Sequence, residues 1–368
     1  MIIYHIYFFG ADEMKGYIGQ EEMSNANCAC VLDLIRRRGE ISRKDIAEIT
    51  RLSWGGMTKI VNKLFESGYI TEEKSEKQAG YGRIPNVIQI NKKQNFVIGL
   101  DVNRMGLRAY VMNLAGDVLK EYAEEGAFDN KDDLLNTLLS FLKNIVLEYR
   151  EFHILAVGIA MQGIVDEAQG VSVRFPHCAD WDHVPIGDIL EGALGVPIFI
   201  EHDPNCILYS AVQEEEKENT LLLRIDSSVG MAVSLGGRIL KGRGLFEVAH
   251  QIVVPEGKLC RCGQRGCLEA YVAPCLVKKR FQPEAITEMI MPLAVTMHNM
   301  CQLFNVQKMI LTGDLMEHRS VFEKDLLDAF YRYEDREKVT VTCIDETNRA
   351  VYGAALTAVV GAIRQIKL

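Results

Sequence analysis

The sequence predicts an α/β protein in which a small winged helix-turn-helix precedes a larger domain of alternating strands and helices. Three stretches support this prediction: residues 24–93 hold short helical patterns and a hairpin, residues 94–212 alternate apolar strands with amphipathic helices, and residues 213–368 combine strands, a cysteine cluster and helices. Strands that alternate with helices are typical of α/β folds. A chain of 368 residues is long enough to bury the cores of two or three domains.

Charge is distributed unevenly between the two parts. Residues 24–93 contain 13 Lys or Arg against 8 Asp or Glu, a net charge of +5, although the whole chain carries −9. The remaining residues therefore carry −14. A basic module on an acidic body predicts a polyanionic partner for the first part only.

Cysteine usage and hydropathy indicate a cytoplasmic protein. Only three of the ten cysteines cluster and the others are scattered, which is not the pattern of a disulfide framework. No apolar run reaches the length of a membrane span, so we expect no membrane partner. Residues 1–10 are apolar but lack the basic start and the small-residue cleavage site of a secretory signal. We assign residues 1–23 to an N-terminal extension.

The first module, residues 24–93, carries the signals of three helices and a hairpin. Gly39 ends a helix predicted over residues 27–38, and Ser42 and Ser53 are the predicted N-caps of the next two helices. The hairpin consists of strands predicted at 69–70 and 87–90 with a polar turn over 72–81. Three short helices and a hairpin predict a winged helix-turn-helix.

The helix after Ser53 is the predicted recognition helix, because the second helix of this motif places its first turns against the bases. The residues predicted to face the bases are Ser53, Trp54, Gly55, Thr58, Lys59 and Asn62. The residues predicted to hold phosphates are Arg43, Lys44 and Arg51. Arg83 is predicted to reach a minor groove, although a flexible linker explains its segment equally well. The whole module can also be read as a protein-binding winged helix, but its positive charge favours DNA.

The second part divides into two predicted lobes. We assign residues 94–212 to a small lobe, on which a C-terminal helix over residues 350–366 packs, and residues 213–349 to a large lobe. The small-lobe elements are predicted strands at 96–101, 107–114, 118–123, 154–160 and 198–200 and a helix at 132–149. The large-lobe strands are predicted at 220–225, 231–235 and 309–312.

A metal-binding motif is the strongest local signal. One histidine and three cysteines, His250, Cys260, Cys262 and Cys267, supply the four ligands of a tetrahedral Zn²⁺. Glycines at 263 and 266 permit the tight loop that brings the sulfurs together. The spacing predicts a zinc site rather than four unrelated residues. A site with four protein ligands has no position for a reactive water, so the zinc is expected to be structural.

These motifs together resemble the ROK family of bacterial repressors and sugar kinases, over a range from about Asn25 to the C-terminus. The resemblance rests on Glu247-x2-His250, Pro255-x-Gly257 and Cys260-x-Cys262-Gly263-x2-Gly266-Cys267-Leu268-Glu269, and on a front module like that of the xylose and N-acetylglucosamine repressors. It implies an actin-like fold of the ribonuclease H and hexokinase type, with two lobes and a sugar in the cleft.

The resemblance also implies a sugar site. Asp203 matches the catalytic base of the family's kinases, Glu247 and Glu269 match ligands of sugar hydroxyls, and His250 matches a residue that joins the zinc to the sugar pocket. His202 stands where the family usually has Asn, and an imidazole offers its donor and acceptor in a different shape from an amide. The alternative for each acid is a solvated surface charge.

The nucleotide site departs from the family's kinase pattern at three places. The Gly-Gly-Thr-Lys sequence after Asp101 is replaced by residues 102–106, the second glycine-rich phosphate loop by residues 227–232, and the later Gly-Gly pair by Gly313-Asp314. Bulky side chains and an acid at these places disfavour binding of ATP phosphates. We therefore expect no enzymatic activity and regard Asp203 as a vestigial base.

The sequence thus favours a repressor of carbohydrate metabolism that binds operator DNA and responds to a monosaccharide or sugar derivative. A homodimer or a dimer of dimers is expected, because helix-turn-helix proteins read two half-sites. Two alternatives remain open at this point: an active ATP-dependent sugar kinase that carries a DNA-binding module, and a DNA-binding protein with a vestigial cleft.

Overall fold

The computed structural model confirms a winged helix-turn-helix followed by a two-lobed actin-like domain. It describes residues 20–74, 86–103, 105–126, 128, 130–176, 178–212, 218–226, 228–241, 247–277, 280–335, 337–345 and 347–368. Within these ranges, no helix combines the length and the apolar character that crossing a bilayer requires.

The first module consists of three helices and a two-stranded wing: α1 (Gln20–Arg38), α2 (Arg43–Thr50), α3 (Trp54–Glu66), β1 (Ile70–Lys74) and β2 (Asn86–Ile90). Both predicted N-caps are confirmed, because the hydroxyls of Ser42 and Ser53 each accept a hydrogen bond of 3.2 Å, from the N–H of Asp45 and of Gly56. The strands β1 and β2 pair antiparallel. Helix α3 buries one apolar face against α1 and leaves Trp54 and Gly55 of its first turn exposed.

Two predicted boundaries in this module were wrong. Helix α1 begins at Gln20 instead of residue 27, and its first turn contains Glu21 and Glu22, whose negative charge is favourable at a helix N-terminus. Strand β1 continues to Lys74, into the stretch predicted as a turn, because its polar residues still pair with the apolar strand β2. Arg83 lies outside the described residues.

The second part is built on two five-stranded sheets. The first contains β3 (Asn95–Asn103), β4 (Gly106–Asn113), β5 (Val118–Glu125), β6 (His153–Met161) and β9 (Ile198–His202) in the order β5-β4-β3-β6-β9. The second contains β10 (Thr220–Ile225), β11 (Val229–Leu235), β12 (Arg238–Ile239), β15 (Lys308–Thr312) and β16 (Thr340–Cys343) in the order β12-β11-β10-β15-β16. Both sheets run antiparallel through their first three strands and parallel through the last three. We call the parts built on them the small lobe and the large lobe.

Helices and short hairpins complete the two lobes. The remaining helices are α4 (Lys131–Glu148), α5 (Ile186–Leu194), α6 (Asp203–Ala211), α7 (Glu269–Val272), α8 (Ile286–Phe304), α9 (Glu323–Phe330) and α10 (Arg349–Arg364). The short strands are β7 (Ile164–Asp166), β8 (Val171–Arg174), β13 (Leu276–Val277) and β14 (Arg280–Phe281). Helices α6 and α10 contact each other, and α6 also contacts β11 of the large lobe.

Helix α10 lies directly against the backbone of the small lobe. A Cβ added at Gly158 of β6 would lie 2.0 Å from the carbonyl oxygen of Ala354, and one added at Gly353 would lie 1.9 Å from the carbonyl oxygen of Cys206 in α6. Only glycine permits such close approach of two backbones. These contacts fix α10 to both β6 and α6.

The winged helix-turn-helix shares one apolar core with the small lobe. Leu32 of α1 and Val359 of α10 belong to the same buried cluster. Two hydrogen bonds reinforce this junction: the Lys63 ammonium donates to the carbonyl oxygen of Leu368 at 2.9 Å, and the Leu368 N–H donates to the side chain of Asn25 at 3.2 Å. The module is therefore packed onto the small lobe through α10.

Candidate functional site

Asp203 lies at the junction of the two lobes. It is the first residue of α6, directly after strand β9, and is 3% exposed. Its Oδ2 accepts a hydrogen bond of 2.5 Å from Nη1 of Arg224, which projects from β10 of the large lobe. Nη2 of the same guanidinium lies 3.3 Å from Oδ2 of Asp226. Burial raises the pKa of Asp203 to about 6 although Arg224 opposes the shift.

His202 places a neutral imidazole beside this carboxylate. Its Nε2 lies 3.4 Å from the second oxygen of Asp203. Burial lowers the pKa of His202 to about 4, so the ring is uncharged at neutral pH. A neutral ring offers one donor and one acceptor to a ligand hydroxyl.

A second ion pair joins the lobes through Lys241, which follows β12. Its ammonium lies 2.5 Å from Oε2 of Glu201 in β9 and also contacts the carboxylate of Glu167, which follows β7. The other oxygen of Glu201 accepts from the His202 N–H at 2.9 Å and from Asn205 Nδ2 at 2.8 Å. Burial alone would raise the pKa of Glu201, but Lys241 and these donors bring it below its usual value.

Glu269 is also buried and paired. It begins α7, is 2% exposed, and its two oxygens contact the guanidinium of Arg261 at 2.6 and 2.9 Å. The Ser228 hydroxyl donates to the same carboxylate at 2.6 Å. Of the other predicted sugar ligands, Glu247 is exposed at the start of a short 3₁₀ helix and His250 ends that helix.

The four predicted metal ligands converge. The ligand atoms of His250, Cys260, Cys262 and Cys267 all lie within 4.8 Å of one another. Sγ of Cys262 and Sγ of Cys267 are 3.7 Å apart, and Nδ1 of His250 is 3.6 Å from Sγ of Cys260. Ligands about 2.3 Å from a central ion stand roughly 3.8 Å apart at the corners of a tetrahedron. The donor set and its spacing therefore fit a tetrahedral metal ion.

Side chains accept hydrogen bonds from two backbone N–H groups at places where the sequence predicts an altered nucleotide site. The turn between β3 and β4 is closed by Asn103, whose side chain donates to Asp101 at 2.8 Å and accepts from the Met105 N–H at 2.7 Å. At the end of β15, the N–H of Asp314 donates to Asp226 at 2.7 Å. These two N–H groups are therefore not free to bind phosphate oxygens.

Most predicted DNA-contacting residues are exposed at the start of α3 and near it. Trp54 is 60% exposed, so its indole is accessible to a binding partner. Five other residues are exposed as well: Lys44, Arg51, Ser53, Lys59 and Asn62. Gly55 is exposed and Thr58 is half-buried.

Arg43, which the sequence predicts to hold a phosphate, pairs with groups of its own module in this structure. Its guanidinium lies 3.0 Å from a carboxylate oxygen of Glu72 in the wing and donates to Asn62 Oδ1 at 3.3 Å. Arg43 thus connects α2, α3 and β1 within the module. The Glu72 pKa falls because Arg43 donates hydrogen bonds to it.

The basic partners of the cleft acids were not predicted from the sequence. Arg224 and Arg261 pair with Asp203 and Glu269 of the predicted sugar site, and Lys241 pairs with the buried Glu201, which precedes His202 and was not predicted. One signal was available: Arg224 interrupts the apolar run Leu221-Leu222-Leu223, and a charge within a central strand requires a buried partner.

Comparison with known proteins identifies both parts of the chain. The ROK family model matches residues 97–285, just over half of the chain. The protein belongs to the ROK family. A winged helix-turn-helix DNA-binding model matches residues 31–71. The family predicted from the cysteine motif and the front module is therefore confirmed.

Relatives of this ROK protein include named repressors. It is 26% identical over 318 residues to the DNA-binding transcriptional repressor Mlc of Escherichia coli strain K12. The matched region covers 83% of this chain and 76% of the relative. It is 29% identical over 280 residues to the N-acetylglucosamine repressor of Escherichia coli O6:H1, covering 71% of this chain and 67% of the relative.

Solved structures show the same fold in regulators and kinases. A ROK family transcriptional regulator described as a homologue of E. coli Mlc has a TM-score of 0.77 at 21% identity, and the match covers 93% of this chain and 97% of that one. A ROK hexokinase from Thermus thermophilus has a TM-score of 0.61 at 24% identity, covering 72% and 97%. The hexokinase match shows that the fold alone does not exclude catalysis.

Proposed function

We propose that the protein is a transcriptional regulator of carbohydrate metabolism, in which the winged helix-turn-helix binds operator DNA and the cleft between the lobes binds a monosaccharide or a sugar derivative. The observation that carries this proposal is the apolar core that joins the module of the exposed recognition helix to the lobe that holds Asp203. A ligand that favours one arrangement of the lobes therefore has a physical route to the DNA-binding surface.

The names of the relatives support both halves of the proposal. Mlc and the N-acetylglucosamine repressor are named as repressors, and the second name includes a sugar. The protein acts as a homodimer or a dimer of dimers, because helix-turn-helix proteins read two half-sites.

Zinc is the proposed structural metal of the centre formed by His250 and the three cysteines. The donor set and the tetrahedral spacing support this choice. The metal would fix the loop that precedes α7, which contains Arg261 and leads directly into Glu269, the first residue of α7. Bound zinc would therefore stabilise the large-lobe side of the effector site.

Loss of phosphoryl transfer is part of the proposal. Phosphoryl transfer depends on donors that position and neutralise the phosphates, and here Asn103 and Asp226 accept hydrogen bonds from two N–H groups on that side. The retained Asp203 favours the alternative of an active sugar kinase. Turnover of ATP with a panel of hexoses and amino sugars, abolished by Asp203→Asn, would establish that alternative.

DNA binding is tested by anisotropy with a duplex selected from a random library, at fixed physiological salt. Lys59→Ala is expected to weaken binding of the selected duplex by roughly 10-fold or more, since a good base contact is worth about 1–3 kcal/mol. Lys143→Ala on α4, a matched change at an exposed lysine far from α3, should leave affinity unchanged. Equal affinity of the unaltered protein for selected and random duplexes would refute operator binding.

Coupling between the winged helix-turn-helix and the sugar cleft is tested at the contact of Lys63 in α3 with Leu368. Lys63→Met keeps the apolar stem and removes the hydrogen bond to the Leu368 carbonyl. We expect this variant to bind DNA alone and sugar alone. The change in DNA affinity that the sugar causes should be several-fold smaller than in the unaltered protein. The measurement is a titration of DNA with and without a sugar identified by thermal shift. A full sugar response in Lys63→Met would contradict this role.

A further inference from the structure

Two basic side chains of the large lobe reach acids of the small lobe. Arg224 of β10 pairs with Asp203 at the start of α6, and Lys241 after β12 pairs with Glu201 of β9. We name these two pairs the inter-lobe latch. Both pairs join the large lobe to the small lobe where strand β9 passes into helix α6.

The Arg224–Asp203 pair is the stronger member of the latch. The side chains of Arg224 and Asp203 are 16% and 5% exposed, whereas that of Lys241 is 53% exposed. Water screens an exposed pair and makes it worth little, but a buried carboxylate that loses its partner is strongly destabilised. Of the two pairs, Arg224–Asp203 is therefore the one whose disruption is expected to cost more, beside the apolar cluster that also joins the lobes here.

Arg224 also lies where a ligand would act. Asp203 Oδ2 accepts from Arg224, and the other oxygen faces His202, so this 3% exposed carboxylate is enclosed by protein groups. A sugar hydroxyl that bonds to Asp203 has to compete with the guanidinium. Asp226 already contacts Nη2 and can keep Arg224 paired after Asp203 is released.

We propose that Arg224 controls access to the effector site: it holds the lobes together by occupying Asp203, and the effector binds by replacing it there. This inference rests on the proposed function, in that it takes the cleft to be the effector site. The ligand it fits is a neutral sugar whose hydroxyl donates to Asp203, because three acids, Asp203, Asp226 and Asp101, lie around Arg224 and disfavour an anion, although Arg108 also acts on Asp101. Arg224 is thus a positioning residue for Asp203 and a determinant of effector affinity.

The first experiment needs no sugar. Hydrogen–deuterium exchange of β9 and α6 is compared among the unaltered protein, Arg224→Leu, and Arg224→Lys, which keeps the charge but cannot contact both acids in the same geometry. We expect exchange at α6 to become about tenfold faster or more in Arg224→Leu and to be intermediate in Arg224→Lys. Arg319→Leu is the matched control, because Arg319 pairs with Glu323 inside the large lobe. Unchanged exchange in both Arg224 variants would overturn the latch.

The second experiment separates access control from simple stabilisation. Calorimetry with a neutral hexose identified by thermal shift is expected to show several-fold tighter binding in Arg224→Lys, because a weaker competitor occupies Asp203. A residue that only stabilises the fold would give unchanged or weaker binding, and that result would overturn the proposal. If no sugar binds any variant, the proposed sugar effector fails, while faster exchange in the Arg224 variants still identifies the latch.

Discussion

Replacing Gly353 with Ala is expected to destabilise the protein by about 3 kcal/mol or more. The added Cβ would lie 1.9 Å from the Cys206 carbonyl oxygen and 2.5 Å from its carbon. Both contacts involve backbone atoms, so no side chain can rotate away, and α10 has to separate from α6. Because α10 also packs on α1, the shift should weaken operator binding as well as stability.

The measurement for Gly353→Ala is thermal unfolding together with DNA titration. A loss of this size is expected to lower the Tm by roughly 4 °C or more in a protein of this length. Gly192→Ala is the matched control, since Gly192 lies in helix α5 with nothing within 4 Å of the added Cβ. That control should be stabilised by roughly 0.5–1 kcal/mol. Equal stability of the two variants would show that α6 and α10 are not closely packed.

Replacing Cys267 with Ser is expected to remove the metal and disorder the loop before α7. Cys267 is completely buried, and its sulfur faces Cys262 at the short distance expected around a shared ion. Metal binding contributes directly to the folding free energy of such a loop. Because Arg261 and Glu269 depend on this loop, sugar affinity should fall by roughly 10- to 100-fold.

Metal analysis, thermal unfolding and sugar calorimetry test this expectation for Cys267→Ser. The unaltered protein should contain one zinc per chain and lose thermal stability with a chelator. Cys343→Ser is the matched control, because Cys343 lies in β16, outside the cluster, and should retain metal and sugar binding. Stoichiometric zinc in Cys267→Ser would mean that the ion sits elsewhere.

Local features of this fold were predictable because their causes lie within a few residues. The N-cap at Ser53 follows from a hydroxyl placed before a helical pattern, and strand β10 was predicted at its observed limits from its apolar run. The metal ligands follow from donor chemistry and loop spacing, and the observed cluster places all four together.

Features that depend on distant partners were not predictable from the sequence. Arg224 pairs with Asp203, 21 positions away and on the other lobe, so its role depends on how the two sheets face each other. The shared strand order of the two sheets leaves no repeat in the sequence, since topology is set by connections rather than by matching residues. The contact between Lys63 and Leu368 spans 305 positions.

The apolar core shared by the winged helix-turn-helix and the small lobe also limits where the protein can be truncated. A fragment that ends after β2 would lack α10, which contacts α1 and belongs to the same buried cluster as Leu32 and Ile35. Such a fragment is expected to aggregate or to associate through the apolar surface that α10 no longer covers. Fusing this winged helix-turn-helix to another ligand-binding domain would therefore require including α10 in the transferred segment.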